Sequence, residues 1–146
     1  MKHPPDRVSA RLLAGELRVV LGQLKRRVRE RTNKGDLTLS QMAVLGQLDR
    51  EGPATVTALA HAEGVRPQSM GATVAALEEA GFVTGAADPA DGRQTLLTLT
   101  EPGRAWIKAS RAAREDWLSG AIRSHLSTSE QDVLARAIEL LKRLVE

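Results

Sequence analysis

The chain of 146 residues contains no cysteine, and its aromatic residues are limited to Phe82, Trp106 and Trp117. Without cysteine there can be no disulfide bond, no thiolate ligand for a metal ion and no thiol that senses oxidants. So few aromatic rings offer little surface on which the bases of single-stranded nucleic acid could stack. These absences exclude thiol chemistry and make single-strand binding by base stacking a poor hypothesis.

Long apolar runs are also absent. No segment approaches the ~18 consecutive apolar residues that a membrane-spanning helix needs. The first residues, M-K-H-P-P-D-R, lack the apolar region of a signal peptide. We therefore expect a cytoplasmic protein that does not bind membranes. Its hydrophobic content of 42% is ample for a core, and its length suits one domain, with or without a dimerisation extension.

Motifs for catalysis and for metal binding are missing as well. The three histidines, His3, His61 and His125, have no obvious carboxylate cluster near them in the sequence. The patterns H-E-x-x-H and G-x-S-x-G do not occur, and no glycine-rich loop could hold a phosphate. A metal site needs several ligands at workable spacing. We therefore predict no enzymatic activity, no metal and no cofactor.

The most informative stretch of the chain runs from Arg66 to Thr100. It begins with a helical segment that has Pro67 just inside its start and Gly81 just past its end, as helix termini favour. Two short runs on either side of the turn residues 88–92 then predict a β-hairpin over 82–100. A helix followed directly by a hairpin is typical of the recognition helix and wing of a winged helix-turn-helix.

Apolar residues spaced three and four apart predict helices on both sides of this stretch. A short helix, a turn containing glycine and a second helix form the helix-turn-helix signature over 55–80. The predicted helices are 7–32 with Asp6 as cap, a helix with Thr38 or Ser40 as cap that ends at Glu51 before Gly52-Pro53, Val56–Ala62, 67–80, a long helix to about His125 with Thr100 as cap and Pro102 in its first turn, and a last helix that opens with the capping box 127–130.

The sequence thus predicts a mainly α fold with a small β-wing, forming a single domain over residues 1–146. A winged helix-turn-helix core over 37–100 is flanked by the long helices of 7–32 and 101–146. Each flanking helix carries an apolar stripe that needs a partner. We therefore predict that the flanking helices form the interface of a homodimer.

Basic residues are concentrated between Arg7 and Lys34, in the first predicted helix and just after it. Nine lysines and arginines stand there against only Glu16 and Glu30, which gives about +7, whereas the whole chain carries +3. Two interpretations stay open. The run is a solvated helix face, which is the commoner case, or it attracts DNA phosphates.

Taken together, these segments resemble the MarR family of bacterial transcriptional regulators, over about 7–145. The resemblance is sharpest in L-T-L-S-Q-M-A-V-L at 37–45, in the helix-turn-helix at 55–80, and in D-P-A-D-G-R at 88–93 followed by L-T-L-T-E-P-G-R at 97–104. It implies a homodimer that binds a pseudo-palindromic site on double-stranded DNA, usually as a repressor. It also implies release from DNA by a small, frequently aromatic, effector.

The recognition helix supplies most of the expected DNA contacts, because such helices enter the major groove with their N-terminal residues foremost. Gln68 can both donate to and accept from adenine, and Arg66 can reach guanine or a phosphate. An ordinary polar first turn is the alternative interpretation. The residues expected near base edges are Arg66, Pro67, Gln68, Ser69 and Thr73, with Ala72 beside them.

The wing and the second helix complete the expected site. The resemblance places Arg93 in the minor groove, where a narrow groove attracts a guanidinium, and makes Asp91 the partner that orients it. A generic Asp-Gly turn with a solvated arginine is the alternative. Thr38 and Ser40 match positions that touch phosphate, and simple helix capping explains them equally well.

Two departures from the family pattern matter. Alanine stands at Ala72, Ala76 and Ala90, where the family often has arginine, and the segment 66–103 is net negative. Base readout is therefore expected to be sparse. A dimer that acts as a protein-interaction module without specific DNA binding remains the alternative function.

No residue identifies an effector. Trp106 and Trp117 lie on a long helix where ligands could dock, but an aromatic stripe at helical spacing more often packs in a core or an interface.

Overall fold

The computed structural model describes residues 8–33, Gly35 and 37–146. The predicted cap Asp6, Arg7, His3 and Lys34 lie outside the described residues. The described part of the chain is mainly helical with one two-stranded antiparallel sheet, as predicted. None of its helices is long and apolar enough to cross a bilayer. The elements are α1 (Ala10–Thr32), α2 (Leu39–Glu51), α3 (Val56–Glu63), α4 (Pro67–Glu79), β1 (Val83–Ala87), β2 (Thr95–Leu99), α5 (Glu101–His125) and α6 (Thr128–Lys142).

The chain forms two compact units. One, here called the lobe, consists of residues 33–112; the other, the terminal unit, combines α1 with the chain from Ala113 onward. The division falls inside α5 rather than at Thr100, because the start of α5 packs with the lobe. Ile107 belongs to the lobe's buried core, and Trp106 packs against that core.

Side-chain caps set the beginnings of the helices. Thr38 Oγ1 accepts from the Gln41 backbone N–H at 3.2 Å, and Gln41 Oε1 accepts from the Thr38 N–H at 2.9 Å. Of the two predicted caps, Thr38 is therefore the cap, and Ser40 lies in the first turn of α2. The helix α1 begins at Ala10 rather than Arg7, because the Ser9 hydroxyl accepts from the Leu12 N–H at 3.2 Å.

The core of the lobe is formed by the inward faces of α2, α3 and α4 with the hairpin. On α4 the inward residues are Met70, Val74 and Leu77, whose spacing of four and three places them on one face. They pack with residues from every other element of the lobe. The buried core residues are Leu37, Val44, Leu45, Leu48, Leu59, Ala60, Met70, Val74, Leu77, Val83, Leu97, Leu99 and Ile107.

The hairpin pairs Val83 with Leu99 at its base and Ala87 with Thr95 near its tip. The sequence predicted the strands as 82–87 and 94–100; β1 begins one residue later than predicted, and β2 is one residue shorter at each end. Ala54, just before α3, adds a third short segment to this sheet: its N–H donates to the Leu97 carbonyl at 3.2 Å, and it accepts from the Leu97 N–H at 2.8 Å. This bridge fixes the hairpin against the helix-turn-helix.

A junction of backbone contacts joins the ends of α4, β2 and α5. The Phe82 carbonyl accepts from the Thr100 N–H at 3.1 Å, and the Thr100 hydroxyl donates to the Gly81 carbonyl. That hydroxyl also accepts from the Gly103 N–H at 3.1 Å, which makes Thr100 the predicted cap of α5. Gly81 has a φ of 82°, a conformation that favours glycine. The junction holds the wing at a set position relative to the recognition helix.

The terminal unit leaves its apolar stripes uncovered in the single chain. Neither α1 nor α6 has a buried residue. The predicted capping box opens α6: the Ser127 hydroxyl accepts from the Glu130 N–H at 3.2 Å, and Glu130 Oε1 accepts from the Ser127 N–H at 2.9 Å. The large apolar residues exposed on these two helices are Leu12, Leu13, Val19, Val20, Leu21 and Leu24 on α1, and Val133, Ile138 and Leu140 on α6.

Candidate nucleic-acid interface

The recognition helix α4 presents the predicted readout residues on its solvent side. Pro67, Gln68 and Ser69 are all exposed in its first turn. The backbone of Arg66 forms the N-cap in an extended conformation, and no side chain caps the helix. The backbone amides of that turn are therefore left for an acceptor on a ligand, such as a phosphate oxygen.

Local bonding distinguishes Thr73 from the other predicted contacts on α4. Its hydroxyl donates to the Ser69 carbonyl at 3.2 Å, one turn earlier in the helix, so its donor is already used. Arg66 and Gln68 make no side-chain hydrogen bond or ion pair with any residue that the structure describes. Of these three side chains, Arg66 and Gln68 are free to bind base edges, whereas Thr73 can only accept.

The tip of the wing is organised by two aspartates. Asp88 Oδ1 accepts from the Ala90 N–H at 2.9 Å, and the Asp88 N–H donates to the Gln94 carbonyl at 2.9 Å. Asp91 Oδ1 accepts from the Arg93 backbone N–H at 3.1 Å. Each aspartate side chain thus bonds a backbone N–H two residues later, a turn geometry that short acidic side chains favour.

Arg93 is paired with Asp91, but not through a fork. A single carboxylate oxygen, Asp91 Oδ1, accepts from both the backbone N–H and the Nε–H of Arg93, the latter at 3.2 Å. Two carboxylate oxygens do not pair with two guanidinium nitrogens here, although such a bidentate pair is open to these groups. The side chain of Arg93 remains 92% exposed. Its terminal nitrogens are therefore available to a ligand while Nε holds the base of the guanidinium near the turn.

Thr38 and Ser40 lie together at the start of α2, and both are exposed. The hydroxyl of Thr38 accepts the capping hydrogen bond from Gln41, so the capping interpretation of this residue is confirmed. Ser40 has no side-chain partner among residues 8–33, 35 and 37–146. Contact of either residue with phosphate stays a prediction.

The charge of the lobe is unfavourable for a purely electrostatic attraction to DNA. Residues 33–112 contain seven lysines and arginines against nine aspartates and glutamates. Asp49 and Arg111 form an ion pair at 3.2 Å between α2 and α5, which leaves still fewer free cations. On α1, by contrast, Lys25, Arg26 and Arg27 are exposed. Attraction to phosphates from the lobe therefore depends on few side chains.

The sequence did not reveal several residues that position this site. Ala54 pairs with β2 from outside the hairpin, and Gly103 lies against the Phe82 carbonyl. The neighbouring Gly52-Pro53 indicated the end of a helix and Pro102 the start of one, but no local pattern indicated these long-range contacts. Trp106 packs on the lobe core with its ring centroid 6.3 Å from that of Phe82, which confirms the core interpretation for this residue.

Metal ligands are not grouped anywhere in the described ranges: no three or more histidines or carboxylates lie close enough together to hold an ion. His61 and His125 are both exposed and lie on different helices. The exposed first turn of α4 and the exposed Arg93 form a binding surface. An exposed recognition helix beside a two-stranded wing defines the winged helix-turn-helix class of DNA-binding proteins.

Comparison with known proteins identifies the family. Residues 35–94 match the family model described as MarR family. A helix-turn-helix-type transcriptional regulator of Mycobacterium tuberculosis is 40% identical over 134 residues, 92% of this chain and 93% of the relative. The crystal structure of a transcriptional regulator from Pseudomonas aeruginosa is 37% identical, with a TM-score of 0.79 over 92% of this chain and 94% of that one. The chain belongs to the MarR family, and it is a DNA-binding transcriptional regulator rather than an enzyme.

A more distant structure shares the fold. A mutant of S. aureus MepR, solved bound to an oligodeoxyribonucleotide, is 18% identical, with a TM-score of 0.67 over 92% of this chain and 98% of that one. The sequence-based family assignment and the predicted fold class are both confirmed.

Proposed function

We propose that this protein is a homodimeric repressor that binds a pseudo-palindromic operator in duplex DNA. Each protomer places the first turn of α4 in the major groove and Arg93 in the minor groove. The observation that carries this proposal is the exposed Arg93, held by Asp91 at the tip of the wing. The DNA-bound MepR structure, which has the same fold, supports a DNA ligand for such a surface.

The remaining site residues take supporting roles in this proposal. Gln68 and Ser69 contact base edges from the exposed first turn of α4, and Arg66 contacts a guanine or a phosphate. Ser40 donates its free hydroxyl to a phosphate. Phosphate contacts of this kind fix the register of the protein on the duplex but carry no sequence information.

The exposed apolar residues of the terminal unit support a homodimer. Leu13, Leu21 and Leu24 on α1 and Ile138 on α6 are between 41% and 54% exposed in the single chain. Fully burying an exposed large apolar side chain contributes roughly 1.5–3 kcal/mol. These side chains are already about half covered, so each contributes about half of that amount, and a second copy that covers several of them stabilises the pair. Two-fold symmetry of the dimer then matches two half-sites of a pseudo-palindrome.

The basic run on α1 belongs to the same proposal, because it adds phosphate attraction that the net acidic lobe lacks. The same proposal places the protein in the cytoplasm, where bacterial operators are.

A small aromatic effector that releases the dimer from DNA is the family's usual regulation. Trp117, half-buried on α5, is our candidate for contact with such a molecule. A titration of the DNA complex with phenolic compounds would detect it.

The test of the proposed function uses a DNA fragment that the purified protein selects from the genome. We expect Arg93→Ala to weaken binding to that fragment by about 1–3 kcal/mol, or roughly 5- to 150-fold, in a gel-shift titration at fixed salt. Arg93→Lys is the matched control, because it keeps the charge but loses the planar guanidinium. The affinity of Arg93→Lys for the DNA fragment should lie between those of the wild type and Arg93→Ala.

Unchanged affinity of Arg93→Ala would remove the wing arginine from the interface.

The net acidic charge of the lobe favours one alternative function, a dimer that serves as a protein-interaction module. That alternative predicts that the purified dimer protects no site upstream of its own gene in a footprinting experiment. Protection of a two-fold symmetric site there would exclude it.

A further inference from the structure

The outward face of the recognition helix has an unusual composition. The residues opposite the buried Met70, Val74 and Leu77 lie two positions before Met70 and two, five and nine positions after it, and all are exposed. In the N-terminal part of the helix, which enters the groove, Gln68 alone among these residues has a polar side chain. From the N-terminus onward, this outward face consists of Gln68, Ala72, Ala75 and Glu79.

These side chains favour particular bases. A glutamine pairs with adenine by accepting from N6 and donating to N7, and the methyl group of an alanine packs against the C5-methyl group of thymine. Guanine is usually read by an arginine or lysine that donates to O6 and N7. No lysine or arginine occurs within α4, and Arg66, at its N-cap, is the one cation adjoining it. The face can therefore read A·T pairs well and G·C pairs poorly.

The length of this face sets the number of base pairs that it reads. Gln68 and Ala75 are seven residues apart, which is about 10 Å along a helix. Successive base pairs are about 3.4 Å apart along the duplex, so the face covers about three of them. Glu79 lies a further turn along, at the end of α4, whereas base edges are contacted by the N-terminal residues of such helices. It therefore does not alter this count.

We infer that each half-site contains a run of about three consecutive A·T base pairs, with an adenine bound by Gln68 and thymine methyl groups packed against Ala72 and Ala75. The inference rests on the proposed function, because it requires that α4 enters the major groove. It goes further by assigning the base class at the centre of each half-site and the residues that select it. A guanine is accommodated only at the Arg66 end of the run.

The experiment begins with selection of bound duplexes from a random library by the full-length protein. The half-site consensus should contain the A·T run. Replacing the adenine opposite Gln68 by guanine in the selected duplex should weaken binding about 5- to 150-fold, the usual range for losing a bidentate base contact. The variant Gln68→Ala should bind both duplexes alike. Gln23→Ala, an exposed glutamine on α1, should retain the full preference and serves as the matched control.

The thymine methyl groups are tested separately by placing deoxyuridine in the same duplex. Losing one packed methyl group should weaken binding about fourfold, the effect expected for one buried carbon. The variant Ala72→Gly should no longer distinguish thymine from deoxyuridine at one position. This comparison is a ratio of two affinities of one protein, so it is insensitive to any general loss of stability in the variant.

The outcomes separate the inference from the proposed function. A selected consensus with G·C pairs at these central positions would overturn the inference while supporting sequence-specific DNA binding. Retention of the adenine preference by Gln68→Ala, or an equal loss on deoxyuridine substitution in wild type and Ala72→Gly, would remove that residue from base selection. Selection that enriches no sequence at all would overturn the proposed function itself.

Discussion

Replacing Gly103 by alanine is expected to destabilise the lobe and to displace its wing. Gly103 is buried in the first turn of α5, and a Cβ atom added to it would lie 2.1 Å from the carbonyl oxygen of Phe82. Non-bonded carbon and oxygen atoms prefer a separation of about 3.5 Å. The atom in the way is backbone, so the start of α5 and the start of the hairpin must move apart by about 1.4 Å to reach that separation.

The size of the effect follows from three contributions. Forcing an extra methyl group into a packed site costs about 1–3 kcal/mol. The movement also lengthens the hydrogen bond from the Thr100 N–H to the Phe82 carbonyl, now 3.1 Å, and such a bond contributes about 1 kcal/mol. Against these stands a gain of about 1 kcal/mol, because alanine favours a helix over glycine. The net loss is therefore about 1–3 kcal/mol.

Thermal unfolding without DNA measures this loss. For a chain of this size, each 1 kcal/mol lowers Tm by roughly 2–4 °C, so Gly103→Ala should melt roughly 2–12 °C below the wild type. Gly71→Ala is the matched control, because it makes the same change in α4, where nothing lies within 4 Å of the added Cβ. That control should be as stable as the wild type or more stable. If Gly103→Ala melts at or above the wild-type temperature, the close contact at this junction is not the constraint that we describe.

Three further predictions concern the wing, the dimer and a helix cap. Asp91→Ala should weaken operator binding by at most about 1 kcal/mol, which is less than the effect of Arg93→Ala, because an exposed ion pair contributes little and Asp91 only orients the arginine. A gel shift in which Asp91→Ala has the larger effect would contradict this. Ile138→Lys should convert the dimer, whose mass is twice 15.8 kDa, into a monomer, because it places a charge on the exposed apolar face of α6. Light scattering measures the mass, and a monomeric wild type would contradict the proposed dimer. The pKa of Glu130 is lowered, chiefly because the Ser127 backbone N–H donates to its carboxylate and, to a lesser extent, because the Ser127 hydroxyl does. The ionised carboxylate therefore stabilises the fold above the usual pKa of glutamate, and this stabilisation is lost as the pH falls through the lowered pKa. Thermal melts should show Glu130→Gln less stable than the wild type at neutral pH, with the difference vanishing in acid, and a difference that persists in acid would exclude the charge as its cause.

The sequence predicted the winged helix-turn-helix well because its signals are local. Thr55 and Thr100 cap helices, Gly64 and Gly81 end them in conformations that favour glycine, and the Asp88-to-Gly92 turn closes the hairpin. Each of these depends on residues within a few positions of one another. The same holds for Asp91 and Arg93, whose pairing over two residues was expected, although its geometry as a contact through one oxygen was not.

Contacts between distant segments were not predicted. The bridge from Ala54 to Leu97, the approach of Gly103 to Phe82 and the ion pair between Asp49 and Arg111 join residues far apart in the chain. No periodicity or cap pattern indicates such pairs. The start of α1 was also placed too early: serine and aspartate are equally good caps, and Ser9 accepts the hydrogen bond that begins the helix.

The sequence by itself determined which elements form, which face of α4 turns inward, and that no thiol takes part in this protein's chemistry. Those properties depend on composition, on helical spacing and on caps, all of which act over a few residues. Only the tertiary structure decided how the wing is held to the recognition helix and which side chains remain free for DNA. Those depend on hydrogen bonds and close contacts between segments such as 81–82 and 100–103, which come together only when the core has packed.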